Sequence, residues 1–396
     1  MAGRPSLLEQ TYLVKVAMAY SIDWKSADDR RDLVHLAVQS VAEGQLVILP
    51  TETSYILGCS PLHPIAVEKL LRIYEQGFIS EPVLFLRSPG ELRDYVPHPA
   101  VVAQRVATRL WPGPLILQLG LHHPDSLIGQ FPASLRGFIE SRDNETGFRV
   151  ASHPAIQEIQ KLCAGPLLTG EILSADRKFA FDSQFASSSV GRFAGLIVDD
   201  SVTSLGEPAT LLATANNHCR ILREGVVTTP EVRGATAMII LLVCTGNTCR
   251  SPMAQVLLQH KLKERFAKFF EADVPPVFAM SAGTNAGAGS GASHEAVQAM
   301  KSRGLDLSQH ASRQVNMDLL QTADVVLTMT QNHRQAILSR WPQFTPKVFT
   351  LSSNGRDVAD PYGGSQQVYL AAAAEIEHFL DEFVEQIDEH WLAQWD

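Results

Sequence analysis

Apolar positions along this chain fall into short continuous runs separated by stretches with helical spacing. Residues 45–50, 83–86, 115–119 and 196–198 in the first part, and 238–243, 277–280, 324–329 and 347–351 in the second, read as strands. Ala254, Leu258, Leu262, Phe266 and Phe270 follow an i, i+4 ladder, the signature of one buried helix stripe. Further helical patterns cover residues 294–301 and 331–340, and one from residue 366 to about residue 391 closes the chain. In the second part the regular alternation of strand and helix predicts a doubly wound parallel sheet, whose ligands sit at the C-terminal ends of its strands. The first part predicts a separate α/β domain. A Thr-, Pro- and Gly-containing stretch at residues 225–237 separates the two.

Length and composition support that division. A chain of 396 residues exceeds one ordinary core, and a hydrophobic content of 45% belongs to a globular protein. Lys plus Arg number 21 against 25 Asp plus Glu before Thr236, and 12 against 17 from there on, so neither half is an electrostatic nucleic-acid binder. No apolar run approaches eighteen residues, the patch at residues 12–20 is broken by Lys15, and the start lacks a signal-peptide pattern. A cytoplasmic protein with no membrane partner is expected. Five cysteines (Cys59, Cys163, Cys219, Cys244 and Cys249) fit a reducing compartment better than a disulfide scaffold.

The chemistry concentrates where the strand at 238–243 meets the next helix, in Val-Cys-Thr-Gly-Asn-Thr-Cys-Arg-Ser-Pro. Backbone N–H groups curling between Cys244 and Arg250 at a helix N-terminus make a cradle for a tetrahedral oxyanion, reinforced by the helix dipole. The same field favours a thiolate at the bottom of the cradle, which makes Cys244 a nucleophile. Arg250 can grip two phosphoryl oxygens in a bidentate fork. Gly246 and Asn247 tolerate a left-handed backbone, and Ser251 can hydrogen-bond the thiolate or cap the helix. Thr245, Thr248 and Cys249 complete the loop that would surround a substrate.

This segment resembles the signature of the low-molecular-weight protein tyrosine phosphatases. The resemblance extends through Ser281-Ala282-Gly283-Thr284, Gly304-Leu305-Asp306 ahead of His310, Ala323-Asp324-Val325-Val326, and Asp360-Pro361-Tyr362-Gly363-Gly364-Ser365. It implies a domain over residues 237–396, with Cys244 as nucleophile, Arg250 as phosphate clamp, Asp360 as general acid and Tyr362 at the entrance. It also implies a phosphorylated protein as substrate, with no metal and no cofactor. Gln255 departs from the acidic residue usual at its position. Thioredoxin-coupled arsenate reductases share the loop, but they relay a disulfide to cysteines further downstream, and none follows Cys249 here. Cys249 reads either as a small packed residue or as a trap for oxidised Cys244. Gly287, Gly289 and Gly291 read as a surface or rim loop. His294, His310 and His333 show no metal-ligand spacing and read as structural or surface histidines.

Upstream, Leu49-Pro50-Thr51-Glu52-Thr53-Ser54-Tyr55, Trp111-Pro112-Gly113-Pro114, and Arg149 ahead of His153-Pro154 are similar to the YrdC-like threonylcarbamoyl-AMP synthases. The resemblance implies a domain over residues 32–232 behind an extension of residues 1–31. Where that family carries Lys-x-Arg-Pro this chain reads Glu75-Gln76-Gly77-Phe78, and where it carries Ser-Ala-Asn this chain reads Gly170-Glu171-Ile172. Two added carboxylates, Glu75 and Glu171, would repel a polyphosphate, so no adenylate synthesis is expected. Thr51, Tyr55 and Arg149 are retained and would form a residual ligand pocket. The sequence thus predicts a cysteine-dependent protein phosphatase acting on phosphotyrosine or phosphoarginine. Its rival is a tRNA-modification or small-molecule-binding regulatory protein with a secondary phosphatase half.

Overall fold

The computed structural model describes residues 19–26, 29–121, 123–269, 274–392 and 394–395. Phe270 and most of the patch at 12–20 lie outside the described residues. The chain divides into two compact units: residues 1–99, 110–215 and 220–228 form one, and residues 100–109, 216–219 and 229–396 the other.

The first unit is a mixed sheet with helices. Its strands run in the spatial order Tyr20–Asp23, Leu196–Asp199, Val47–Leu49, Ile56–Cys59, Leu167–Glu171, Val83–Phe85, Glu145–Arg149, Leu115–Gly120 and Thr210–Ala215. Several are buried at every position, as in Val47–Leu49, Ile56–Cys59 and Leu167–Glu171; Val47–Leu49 reads as an apolar run, whereas Gly58 and Thr169-Gly170-Glu171 hide the other two from that pattern. Two helices, Pro64–Glu75 and Pro154–Leu162, begin alike. Proline stands in the first turn, where its missing N–H costs nothing, and the preceding His63 or His153 caps a backbone N–H through its ring.

The second unit has an all-parallel sheet in the order Val277–Gly283, Met238–Cys244, Val325–Thr328, Val348–Thr350. The central strand shows why the fold is doubly wound. Side chains alternate across a strand, so Met238, Ile240, Leu242 and Cys244 enter one core with the helices Arg250–Arg265, His294–Lys301 and Gln366–Glu385. Leu241 and Val243 enter the other core, with Leu320 of Met317–Thr322 and Ile337 of Gln331–Arg340. The helix ladder is observed as expected: Ala254, Leu258, Leu262 and Phe266 are fully buried. The closing helix is shorter than its pattern. It stops at Glu385, and Asp388 then takes the His390 N–H, which starts a short 3-10 turn while Ile387 and Leu392 stay buried. The stretch at 225–237 contains a helix, Thr229–Thr236.

Residues 100–109 bring two buried arginines into the second unit. Arg105 Nε and Arg109 Nη2 donate to the two oxygens of Asp324, at 2.8 and 2.9 Å. Arg109 also donates to the carbonyls of Thr322, Ala235 and Ala237, and Arg105 to those of Thr236 and Trp391. Asp324 meanwhile accepts the Ile239 N–H at the start of the central strand. Removing one member of such a cluster leaves buried carbonyls and charge without partners. Arg109→Ala should therefore destabilise the protein by about 3 kcal/mol, read as a fall in the denaturant midpoint of the transition that reports on the second unit.

Candidate active site

The central strand ends at Cys244 and the helix begins at Arg250, so the five intervening residues turn tightly over the C-terminal edge of the sheet. Asn247 makes this possible with φ of 54°, a left-handed conformation that asparagine tolerates. Its buried side chain is fixed on every side. Nδ2 donates to Ser251 Oγ at 3.0 Å and Ser281 Oγ at 2.9 Å, Oδ1 accepts the Arg313 N–H at 2.9 Å, and the carbonyl meets His310 Nε2 at 2.7 Å. Ser281 donates onward to Gln255 Oε1 at 2.6 Å, so Gln255 belongs to the outer support of the loop and not to its floor. Gly283 is required for contact rather than for dihedral freedom, because a Cβ there would collide with the Thr245 carbonyl and the Asn247 N–H.

Cys244 lies at the bottom of this turn. Its sulfur is 3.0 Å from Ser251 Oγ and 3.3 Å from the Asn247 N–H. Ser251 Oγ also donates to the Ala282 carbonyl at 3.2 Å. The helix Arg250–Arg265 starts without a side-chain cap, so its first amides remain for an anion. Arg250 is buried; Nη2 donates to Asp360 Oδ2 at 2.6 Å and Nη1 to the Val358 carbonyl at 3.2 Å. Asp360 is half exposed and held by the turn that follows it, in which its Oδ1 accepts the Tyr362 N–H at 3.2 Å. Cys244 and Arg250 thus belong to one loop, Asp360 joins it through Arg250, and Tyr362 is 79% exposed beside Asp360.

The other loop residues divide by direction. Thr245 is exposed, Gly246 and Thr248 are partly exposed, and Asn247 and Ser251 are buried supports. The Cys249 thiol points inward, 3.3 Å from Tyr369 Oη and 3.4 Å from Ser293 Oγ, so only its backbone faces the cradle. Two of the three dispersed histidines prove to touch the loop. His310 holds Asn247, and burial pushes its pKa below the ordinary value. His333 is buried, with Nε2 2.8 Å from Thr245 Oγ1 and Nδ1 2.8 Å from Thr330 Oγ1. Burial first, and the Arg250 charge second, push its pKa down to about 4, so it is neutral near pH 7. Sequence carried one hint of this, a threonine three residues ahead at the helix start; nothing connected it to Thr245. Among the described residues no cluster of side chains could hold a metal ion. No helix among them is long and apolar enough to cross a membrane.

The first unit groups its retained residues differently from the expectation. Arg149 is fully buried and donates to Glu52 Oε1 at 2.7 Å, Thr53 Oγ1 at 3.0 Å and the Gly113 carbonyl at 3.2 Å. Burial alone would push the Glu52 carboxyl up, but the Arg149 guanidinium together with backbone N–H groups, that of Ser152 among them, holds it below the usual range. Thr51 Oγ1 lies 2.9 Å from Thr53 Oγ1, whereas the Tyr55 hydroxyl bonds Ser201 and Asp200 instead. The charge argument against a polyphosphate also changes. Glu171 is buried and paired with Arg223 at 2.5 Å, so its charge is compensated. Glu75 ends its helix in the open, in a hollow with Glu68, Arg72 and Arg142, whereas Glu171 lines a separate cavity of about 220 Å³. The two carboxylates do not act together.

Comparison with known proteins agrees with both halves. Residues 239–392 match the family model described as low molecular weight phosphotyrosine protein phosphatase, and residues 39–225 match that of the YrdC proteins, described as telomere recombination. A protein-arginine-phosphatase of Geobacillus stearothermophilus is 40% identical over 152 residues, covering 37% of this chain and 95% of the relative. One from Bacillus subtilis (strain 168) is 38% identical over 155 residues, covering 38% and 97%. A probable low molecular weight protein-tyrosine-phosphatase, EpsP, of Ralstonia nicotianae is 38% identical over 149 residues, covering 37% and 94%. The C-terminal part is a phosphatase, and the N-terminal part is a YrdC-like domain. The chain belongs, through its C-terminal residues, to the low molecular weight phosphotyrosine protein phosphatase family.

Proposed function

We propose that the protein is a cysteine-dependent protein phosphatase that works through a phosphocysteine and prefers phosphoarginine to phosphotyrosine. The Cys244 thiolate attacks phosphorus in line, the bond to the leaving oxygen or nitrogen breaks, and Asp360 gives that atom its proton. A water then attacks the phosphocysteine, Asp360 takes its proton, and the phosphorus–sulfur bond breaks to return the thiolate and release inorganic phosphate. Loop N–H groups and Arg250 hold the charge of the equatorial oxygens in both steps. The observation that supports this reading is that Arg250, in the same loop as Cys244, pairs with Asp360 at 2.6 Å from 110 residues away.

Substrate preference rests on Thr248, which is partly exposed in the loop with its hydroxyl 3.6 Å from the Cys249 sulfur. A hydroxyl at this height suits a planar guanidino group, whose N–H donors would be left unpaired against an aliphatic side chain. The arginine phosphatases named above are similar to this chain over nearly their whole length, which supports the same reading. Phosphotyrosine and phosphoarginine peptides assayed side by side test it. Thr248→Ile should lower the ratio of kcat/KM for phosphoarginine over phosphotyrosine by about tenfold, the worth of one hydrogen bond to the transition state. An unchanged ratio would remove Thr248 from the argument.

A further inference from the structure

We infer that His333 is a positioning residue that holds the Thr245 hydroxyl at the mouth of the loop as an acceptor for the N–H groups of a phosphorylated guanidino substrate. The inference rests on the phosphatase reading above and adds a second hydroxyl, and the device that orients it, to that site.

The inferred role uses the neutral tautomer of His333 that carries its proton on Nε2. His333 is the third residue of the helix Gln331–Arg340, and the capping Thr330 Oγ1 already accepts its backbone N–H at 3.2 Å. In that tautomer the Thr330 hydroxyl donates its proton to Nδ1, 2.8 Å away. In a neutral imidazole this leaves the ring proton on Nε2, which donates to Thr245 Oγ1 at 2.8 Å. The ring is neutral at pH 7 because it is buried and faces the Arg250 cation, with Asp357 and Asp360 opposing too weakly to restore the proton. A protonated ring would place a second cation against Arg250; the neutral one supplies direction without charge.

Thr245 is correspondingly fixed on its inner side and open on its outer side. Its carbonyl accepts the Asn285 N–H at 2.9 Å, its hydroxyl accepts from His333, and the residue is exposed next to Cys244. A hydroxyl oxygen accepts two hydrogen bonds and donates one, so one lone pair remains on Oγ1, turned away from His333. A guanidino leaving group carries N–H donors that can use it. The oxygen of a phenol ester carries none, so the held hydroxyl discriminates by leaving group. Without His333 the hydroxyl would rotate among its staggered positions, and the acceptor would be presented only part of the time.

The full-length protein tests this with kcat/KM on a phosphoarginine peptide and a phosphotyrosine peptide for Thr245→Val, His333→Ala, His333→Gln and the double variant Thr245→Val/His333→Ala. Each of the first two should lower the phosphoarginine-to-phosphotyrosine ratio about tenfold, the upper worth of a neutral hydrogen bond. The double variant should be no worse than Thr245→Val alone, because both changes remove one interaction. His333→Gln, whose amide nitrogen reaches near the position of Nε2, should recover most of the ratio. Additive losses, or equal losses on both substrates, would overturn the inference. Thr245→Val alters an exposed residue and so reads the hydroxyl even if His333→Ala fails to fold. An unaltered protein that hydrolyses phosphotyrosine but leaves phosphoarginine untouched would overturn the substrate reading itself, before any variant is compared.

Discussion

Cys244→Ser should reduce turnover to background, a loss on the order of 10⁴-fold or more. The surroundings of the sulfur explain why a change of one atom is so severe. Ser251 Oγ and the Asn247 N–H, at 3.0 and 3.3 Å, are groups that stabilise an anion already formed; neither can act as a base that would create one. A thiolate is a nucleophile without further help, whereas a serine hydroxyl would need a general base. His310 and His333, the histidines that touch the loop, are bonded to Asn247 and Thr245 and do not reach position 244. The anion cradle itself should survive, since its backbone amides and Arg250 are unchanged. Inorganic phosphate should therefore inhibit the native protein and bind the Cys244→Ser variant with affinities within a few-fold of each other. Ordinary turnover by the variant would mean that another residue is the nucleophile.

The strands and helices of the second unit were legible because their cause is local. A run such as Met238–Cys244 is apolar at every position because it is buried on both faces, and Ala254, Leu258, Leu262 and Phe266 repeat at the helical period because one stripe is buried. The end of the closing helix was misread for a related reason. Apolar positions continue past Glu385 because Ile387 and Leu392 remain in the core, while the Asp388 side chain redirects the backbone, so burial and helicity part company there.

What could not be read were partnerships formed across long separations. His333 lies 88 residues from Thr245, and a lone histidine on a helix gives no sign of which hydroxyl its ring will meet. Arg105 and Arg109 reach Asp324 from more than 200 residues away. Glu171 counted as an added negative charge until the fold placed Arg223, 52 residues on, at 2.5 Å from it. In each case residue type was visible, but its charge or donor balance depended on a neighbour that only the fold supplies. The candidate site differs in that two of its three proposed catalytic residues, Cys244 and Arg250, share one loop.

Asp360→Asn should act in opposite directions on chemistry and on anion binding. An asparagine amide cannot give the leaving atom the proton that a carboxyl group delivers, so phosphoenzyme formation should slow by about two powers of ten or more with a poor leaving group. The penalty should shrink with an aryl phosphate whose oxygen departs without protonation. Arg250 Nη2, however, donates to Asp360 Oδ2 at 2.6 Å, so an entering phosphoryl group must compete with this carboxylate for the clamp. Half exposure of Asp360 means that the competition is screened by water, and the gain from removing its charge should be modest, a few-fold tightening of inorganic phosphate. Single-turnover rates on an alkyl and an aryl phosphate, together with phosphate inhibition constants for the native and variant proteins, separate the two effects. An equal slowing on both substrates would remove Asp360 from the role of general acid, and weaker phosphate binding by the variant would show that its carboxylate supports Arg250 instead of competing for it.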